Sequence, residues 1–172
     1  MENTLAKTYK LSDGTEIPTV GLGSASHRIK DSMVQAIMEA GYKHIDTASC
    51  YTNEDTVGEA LTECMSQGKA RSDIYVTTKL WHTDYKDPEA ALRKSLKLLN
   101  LEYVDLYLIH WPMGYYAEPR KPLHVLWAEL EELVAKGLTK SIGLSNFNTQ
   151  LIWDLLSYCK IKPVANQIEL NP

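Results

Sequence analysis

Val104-Asp105-Leu106-Tyr107-Leu108-Ile109-His110 is a nearly continuous apolar run that ends on an ionisable side chain. A strand with one wet face alternates apolar and polar residues, whereas a strand covered on both faces does not. The run is therefore expected to be a buried strand of a parallel sheet, with His110 at its C-terminal end and Trp111-Pro112 directly after it.

The same rhythm extends in both directions. Upstream, Ile74 to Lys79 is a strand, and Asp87-Pro88 opens the next helix. Asp serves there as N-cap, with Pro in the first turn, where its missing N–H is harmless. Leu92, Leu96 and Leu99 form the buried stripe of that helix. Tyr42 to Thr47 is a strand, followed by a helix from about Glu54 to Gln67 that turns Val57, Leu61, Cys64 and Met65 inward and closes on Gly68. Further back, Val20 to Ser24 is a short strand, and Asp31 caps a helix presenting Met33, Val34, Ile37 and Met38 and ending at Gly41. Tyr9 to Leu11 and Glu16 to Val20 flank Asp13-Gly14, a hairpin turn signal.

Downstream, Leu123 to Lys136 is helical, with Leu126, Trp127, Leu130, Leu133 and Val134 on its apolar side. Thr139 to Leu144 is a strand. Asn148 caps a helix carrying Leu151, Ile152, Leu155 and Leu156, and Pro163 to Glu169 is the last strand.

An N-terminal hairpin, six strands and five helices in alternation define an α/β chain with a parallel sheet and right-handed crossovers. An open doubly wound sheet and a closed barrel both satisfy this order. The open sheet usually carries a Gly-rich fingerprint after its first strand. Gly21-Leu22-Gly23-Ser24-Ala25-Ser26 lacks the third glycine, which leans toward the TIM-type barrel.

Composition narrows the function. With 172 residues, 44% hydrophobic and 23% charged, the chain matches one soluble globular domain. A net charge of -4 supplies no basic excess for nucleic acid or an anionic membrane surface. No apolar run approaches the roughly 20 residues of a membrane span, and Met1 to Tyr9 holds no signal-peptide core. Cys50, Cys64 and Cys159 are too few and too scattered for a disulfide framework or a zinc site. No metal is expected, and a cytoplasmic location is.

The polar groups at strand ends carry the chemistry. Asp46, Lys79, His110, Ser145 with Asn146, and Gln167 with Glu169 each interrupt an apolar strand near its C-terminus. In a parallel barrel those ends share one face, where active sites form. Each has an ordinary alternative: Asp46 a helix cap, Lys79 a solvated strand end, His110 a satisfied core histidine. Their joint occurrence argues for a site. Tyr51, five residues after Asp46, falls in the loop over the same face. A free phenol titrates near 10, too high for efficient proton exchange at neutrality, and a neighbouring ammonium favours the phenolate. Lys79 is the expected ammonium, held by the Asp46 carboxylate, and His110 is placed to donate to a carbonyl oxygen. This set suits carbonyl reduction, in which charge develops on oxygen as hydride reaches carbon.

The motifs resemble a known family. Gly41-Tyr42-Lys43-His44-Ile45-Asp46-Thr47-Ala48, with Tyr51, Asn53-Glu54 and Val57-Gly58, is similar to the first aldo-keto reductase signature, with Lys43 where Arg is common. Lys140-Ser141-Ile142-Gly143-Leu144-Ser145-Asn146-Phe147 resembles the second. Thr78-Lys79-Leu80-Trp81, His110-Trp111-Pro112 and Asn166-Gln167 follow in the family's order. The resemblance implies a (β/α)8 barrel that binds NADPH and reversibly reduces aldehydes and ketones. It implies Tyr51 as general acid with Asp46, Lys79 and His110 as its partners. It places Gly23, Ser24, Asp46, Ser145, Asn146 and Gln167 at the cofactor, and His110, Trp81 and Trp111 against a small carbonyl substrate. Tyr115-Tyr116 either touches substrate or is surface.

Two departures stand out. Ser24-Ala25 occupies a position where many members carry Thr-Trp, which predicts a pocket tolerant of bulkier carbonyls. A complete barrel takes about 250 residues, so residues 1-172 are expected to form a barrel domain lacking its last two βα units and the phosphate side of the cofactor site. A longer enzyme, or a short form completed by a second chain or segment, would account for this. So would a catalytically silent barrel remnant acting as a binding or structural component.

Overall fold

The computed structural model describes residues 7–25, 29–112 and 120–171. Thr8–Lys10 (β1) and Glu16–Pro18 (β2) form an antiparallel hairpin, with Gly14 at φ 90° in its turn. Leu22–Gly23 (β3), His44–Asp46 (β4), Tyr75–Leu80 (β5), Val104–Ile109 (β6), Thr139–Ser145 (β7) and Asn166–Gln167 (β8) make one parallel sheet, each strand paired with the next in chain order. Lys30–Met38 (α1), Glu54–Ser66 (α2), Pro88–Leu99 (α3), Leu123–Ala135 (α4) and Thr149–Leu156 (α5) lie between successive strands.

A strand order without reversal belongs to a barrel wall; a doubly wound sheet reverses at its switch point. The curl is visible in one contact. Asp46 on β4 and Gln167 on β8 are four strand spacings apart, about 19 Å in a flat sheet. Yet Gln167 Nε2 donates to Asp46 Oδ2 at 2.8 Å. The sheet is wrapped into an incomplete (β/α)8 barrel.

Alternation along the strands separates two cores. Tyr75, Leu106 and Leu108 point inward and meet Ile17 and Val164, while Val76, Tyr107, Ile109 and Ile142 join the helices in the larger outer core. The α2–α3 contact is unusually close: a Cβ on Gly58 would lie 2.2 Å from the Leu98 carbonyl oxygen, so only glycine fits there. The hairpin covers the N-terminal end of the barrel, where Ser141 Oγ donates to Asp13 Oδ2 at 2.5 Å.

Both expected side-chain caps on α3 and α5 are made: Asp87 accepts from the Ala90 N–H and Asn148 from the Leu151 N–H. Asp31 is a correction. The helix starts one residue earlier at Lys30, and Asp31 lies in its first turn, where its charge complements the helix dipole without capping. The last strand is shorter than Pro163 to Glu169, because its neighbour β7 ends at Ser145, opposite Gln167. Leu156 is exposed; Leu155 takes the buried position of α5. Among the described residues no helix is long and apolar enough to cross a membrane, and no cluster of His, Cys, Asp or Glu is arranged to hold a metal. Tyr115-Tyr116 lies outside the described residues.

Candidate active site

β5 is buried at every position, so a lysine on its inward face has no route to water. The Lys79 side chain is 0% exposed. Its ammonium donates to Asp46 Oδ1 at 2.5 Å and to the Thr47 carbonyl at 2.9 Å, and lies 3.4 Å from Tyr51 Oη. A buried ammonium without partners is prohibitively costly, and these three acceptors offset the loss of water. Asp46 divides its oxygens between Lys79 and Gln167, and the alternative of a helix cap does not apply.

Tyr51 ends a 3-10 turn, Ser49–Tyr51, that leaves β4. Side chains unassigned in the sequence fix this turn. Ser49 Oγ donates to the Lys79 carbonyl at 3.1 Å, and Asn53 Nδ2 donates to the Ser24 carbonyl at 2.6 Å. Glu54, buried at the start of α2, accepts from Thr78 Oγ1 at 2.6 Å and Ser95 Oγ at 2.8 Å. Burial raises the Glu54 pKa, and those hydroxyls work against the rise. The signal was the Asn53-Glu54 pair itself, two polar residues immediately after a tyrosine at the start of an amphipathic helix.

His110 follows β6 and is buried. Its N–H donates to the Leu80 carbonyl, and its carbonyl accepts from Asn146 Nδ2 at 2.9 Å, so both ends of the residue are pinned. The ring meets Tyr51 edge-on at a centroid distance of 5.7 Å and Trp81 at 5.1 Å. Burial, and then the Lys79 ammonium, hold its pKa down to about 4 against the opposing pull of Asp46. The imidazole is therefore neutral at physiological pH. Nδ1 lies 3.5 Å from Cys50 Sγ, a partner that no motif singled out.

The end of β7 is a polar block. Ser145 Oγ donates to the Gln167 carbonyl at 3.0 Å, and Asn146, in the left-handed region at φ 63°, donates from Nδ2 to Ser145 Oγ at 3.0 Å. Across the mouth, the Ser24 N–H donates to the Asp46 carbonyl at 2.9 Å, while Ser24 Oγ is buried without a partner among the described residues. A Cβ built on Gly23 meets nothing within 4 Å, so that wall is open. Trp81 packs between His110 and His82, while Trp111 leaves 43% of its surface exposed. The mouth thus gathers Asp46, Tyr51, Lys79, His110, Trp81, Ser145, Asn146 and Gln167. Glu169 does not join them: it is exposed beyond β8 and accepts from Asn171.

Known proteins share this arrangement of chain. The model of the aldo/keto reductase family matches residues 17–172. An aldo-keto reductase family 1 member A1-A of Danio rerio is 47% identical over 98% of this chain and 58% of its own length. An aldose reductase of Encephalitozoon cuniculi is 41% identical, over 98% of this chain and 62% of its own length. The crystal structure of a Bombyx mori aldo-keto reductase in complex with NADP superposes with a TM-score of 0.87 at 39% identity, covering 97% of this chain and 59% of that one. The chain spans about three fifths of the length of these relatives. The chain belongs to the aldo/keto reductase family.

Proposed function

We propose that this mouth reduces aldehydes and ketones to alcohols with NADPH, Tyr51 acting as the general acid. The observation that carries the proposal is the buried Lys79 ammonium, gripped by Asp46 and 3.4 Å from the Tyr51 hydroxyl. A positive charge held there stabilises negative charge on the phenol oxygen as the proton leaves, which is what an acid at this position needs. Asp46 anchors the lysine ammonium beside the phenol. His110, neutral and pinned at both ends of its backbone, directs a ring N–H at the carbonyl oxygen and orients it toward Tyr51. Trp81 and Trp111 supply apolar walls for a small carbonyl substrate.

When bound, NADPH supplies the hydride to the carbonyl carbon. Ser145, Asn146 and Gln167 would hold its carboxamide, and Gly23, Ser24 and Asp46 would flank it. Two observations support the fit: the buried Ser24 hydroxyl has no partner among the described residues, and open space stands over Gly23. The NADP complex of the silkworm relative favours this cofactor. Ala25 in place of a bulky aromatic favours larger carbonyls.

The test is fluorescence titration of the chain with NADPH, followed by NADPH-dependent loss of an aldehyde. Saturable micromolar binding and turnover that disappears in Tyr51→Phe are expected. No binding by the folded chain, or undiminished turnover in Tyr51→Phe, overturns the proposal.

A further inference from the structure

Neutral imidazole carries one proton on either of two nitrogens, and only a proton on the nitrogen facing the substrate can serve as a donor. His110 has its Nδ1 3.5 Å from Cys50 Sγ and no protein partner at Nε2 among the described residues. Both chain neighbours of that sulfur are engaged or ordered: Ser49 is tied to the Lys79 carbonyl, and Tyr51 meets the His110 ring. Cys50 is a half-buried free thiol.

We infer that Cys50 is a positioning residue that sets the His110 tautomer, its S–H donating to Nδ1 so that the ring proton stands on Nε2, toward the mouth. The assignment rests on the carbonyl-reducing reading of the mouth only for its purpose; the tautomer itself is a property of the chain. The chemistry of the two groups fixes the direction of the bond. Thiol sulfur is a weak acceptor, and an imidazole lone pair is a good one. Burial raises the Cys50 pKa, so the thiol retains the proton it donates. The fixed ring supports the assignment. Trp81 and Tyr51 bracket the imidazole edge-on, and His110's backbone is bonded at both N–H and C=O, so the ring has little freedom to exchange its two nitrogens. In the proposed reaction Nε2–H then points at the carbonyl oxygen, where a proton on Nδ1 would be wasted on sulfur.

The experiment is two-dimensional ¹H–¹⁵N correlation of the histidine side chains in the full chain near neutral pH, with His110 assigned by loss of its signals in His110→Gln. The expected pattern is a protonated Nε2 and an unprotonated, hydrogen-bonded Nδ1. Cys50→Val should shift the Nδ1 resonance toward that of an unbonded lone pair, and Cys50→Ser should restore the wild-type position. Backbone spectra that overlay outside the mouth exclude a folding defect as the cause. A proton found on Nδ1 in the wild-type chain overturns the inference, as does an Nδ1 resonance unmoved in Cys50→Val. No cofactor or substrate is added, so a chain that fails to bind NADPH can still display the tautomer. A failed tautomer assignment likewise leaves the carbonyl-reducing reading standing.

Discussion

The two ends of this half-barrel each hold a carboxylate paired with cations, and each places a tyrosine inside the wall near that pair. At the base, Asp105 accepts from Lys140 at 2.8 Å on Oδ1, and from Arg71 at 2.8 Å and the Val76 N–H at 2.9 Å on Oδ2. Both cations also rest on the Tyr103 ring. At the mouth, Asp46 holds a single ammonium that also meets the Thr47 carbonyl and the Tyr51 phenol. Among the described residues unpaired atoms occur at both ends, since Tyr75 Oη and Arg71 Nε at the base have no partner there, as is true of Ser24 Oγ at the mouth. The difference lies in which charge faces the phenol. Burial, and then Asp105 and Asp13, push the Tyr75 pKa up, so that phenol only holds its proton. Tyr51 faces an ammonium. A charge cluster becomes a reaction site when the charge nearest the titrating atom is opposite in sign to the charge that must develop there.

The sharpest way to break this contrast is to remove each phenol oxygen. Tyr51→Phe should lower kcat/KM for an aldehyde at least 100-fold, the usual range for loss of a general acid. Tyr75→Phe should leave it within about twofold and keep or raise stability, because it deletes a buried hydroxyl that has no partner among the described residues. Steady-state kinetics on both variants checks the pair. Equal losses would mean that the neighbouring charge does not distinguish the two tyrosines.

The next largest contrast is in stability. Lys79 has no access to water, so Asp46→Asn strands a buried cation and should destabilise by about 3 kcal/mol. Around Asp105 the Lys140 side chain is 48% exposed and can return to solvent. Asp105→Asn should therefore cost only about 1–2 kcal/mol and spare activity. Urea melts of the two variants give the comparison, and a larger loss at Asp105 would reverse the order of burial argued here.

A smaller effect comes from His110. The unfolded chain binds this proton below about 6.5 and the folded chain only below about 4. Between those values acid favours unfolding, so the penalty is absent above about 6.5 and complete below about 4. It amounts to about 2 kcal/mol once screening at the open mouth is allowed for. His44, whose pKa burial also lowers, acts in the same direction. Melting temperatures between pH 4 and 7 should fall less steeply in His110→Gln than in the wild type, and identical slopes would remove His110 from the acid sensitivity.

Much of this was legible in the sequence because the barrel repeats one physical rule. Apolar strands such as Val104–Ile109 end in polar residues, and a parallel wall brings those ends together, so Asp46, Lys79, His110 and Asn146 could be placed without coordinates. What escaped was contact between elements that periodicity does not order. The Cys50–His110 contact joins residues 60 positions apart, and the Asp13–Ser141 bond joins residues 128 apart. Neither follows from the pattern of its own segment. Asp31 misled because an acid suits both the N-cap and the first turn, and only the backbone angles separate the two positions.

The smallest expected effect tests the width of the mouth. Ala25 is an exposed turn residue directly after Ser24, at the end of β3, so added bulk there has solvent to occupy and need not disturb the wall. Ala25→Trp should lower kcat/KM about tenfold for a bulky ketone and less than twofold for a small aldehyde, within the 1–3 kcal/mol by which an apolar pocket discriminates size. Lys43→Trp, beside the cavity of about 440 Å³ at the base, adds similar bulk at the other end and should change neither substrate. Competition between the two carbonyls in one reaction reads the ratio directly, free of differences in enzyme concentration. An unchanged ratio in Ala25→Trp would mean that β3 does not border the substrate, and a shifted ratio in Lys43→Trp would mean that the two ends of the barrel are not independent.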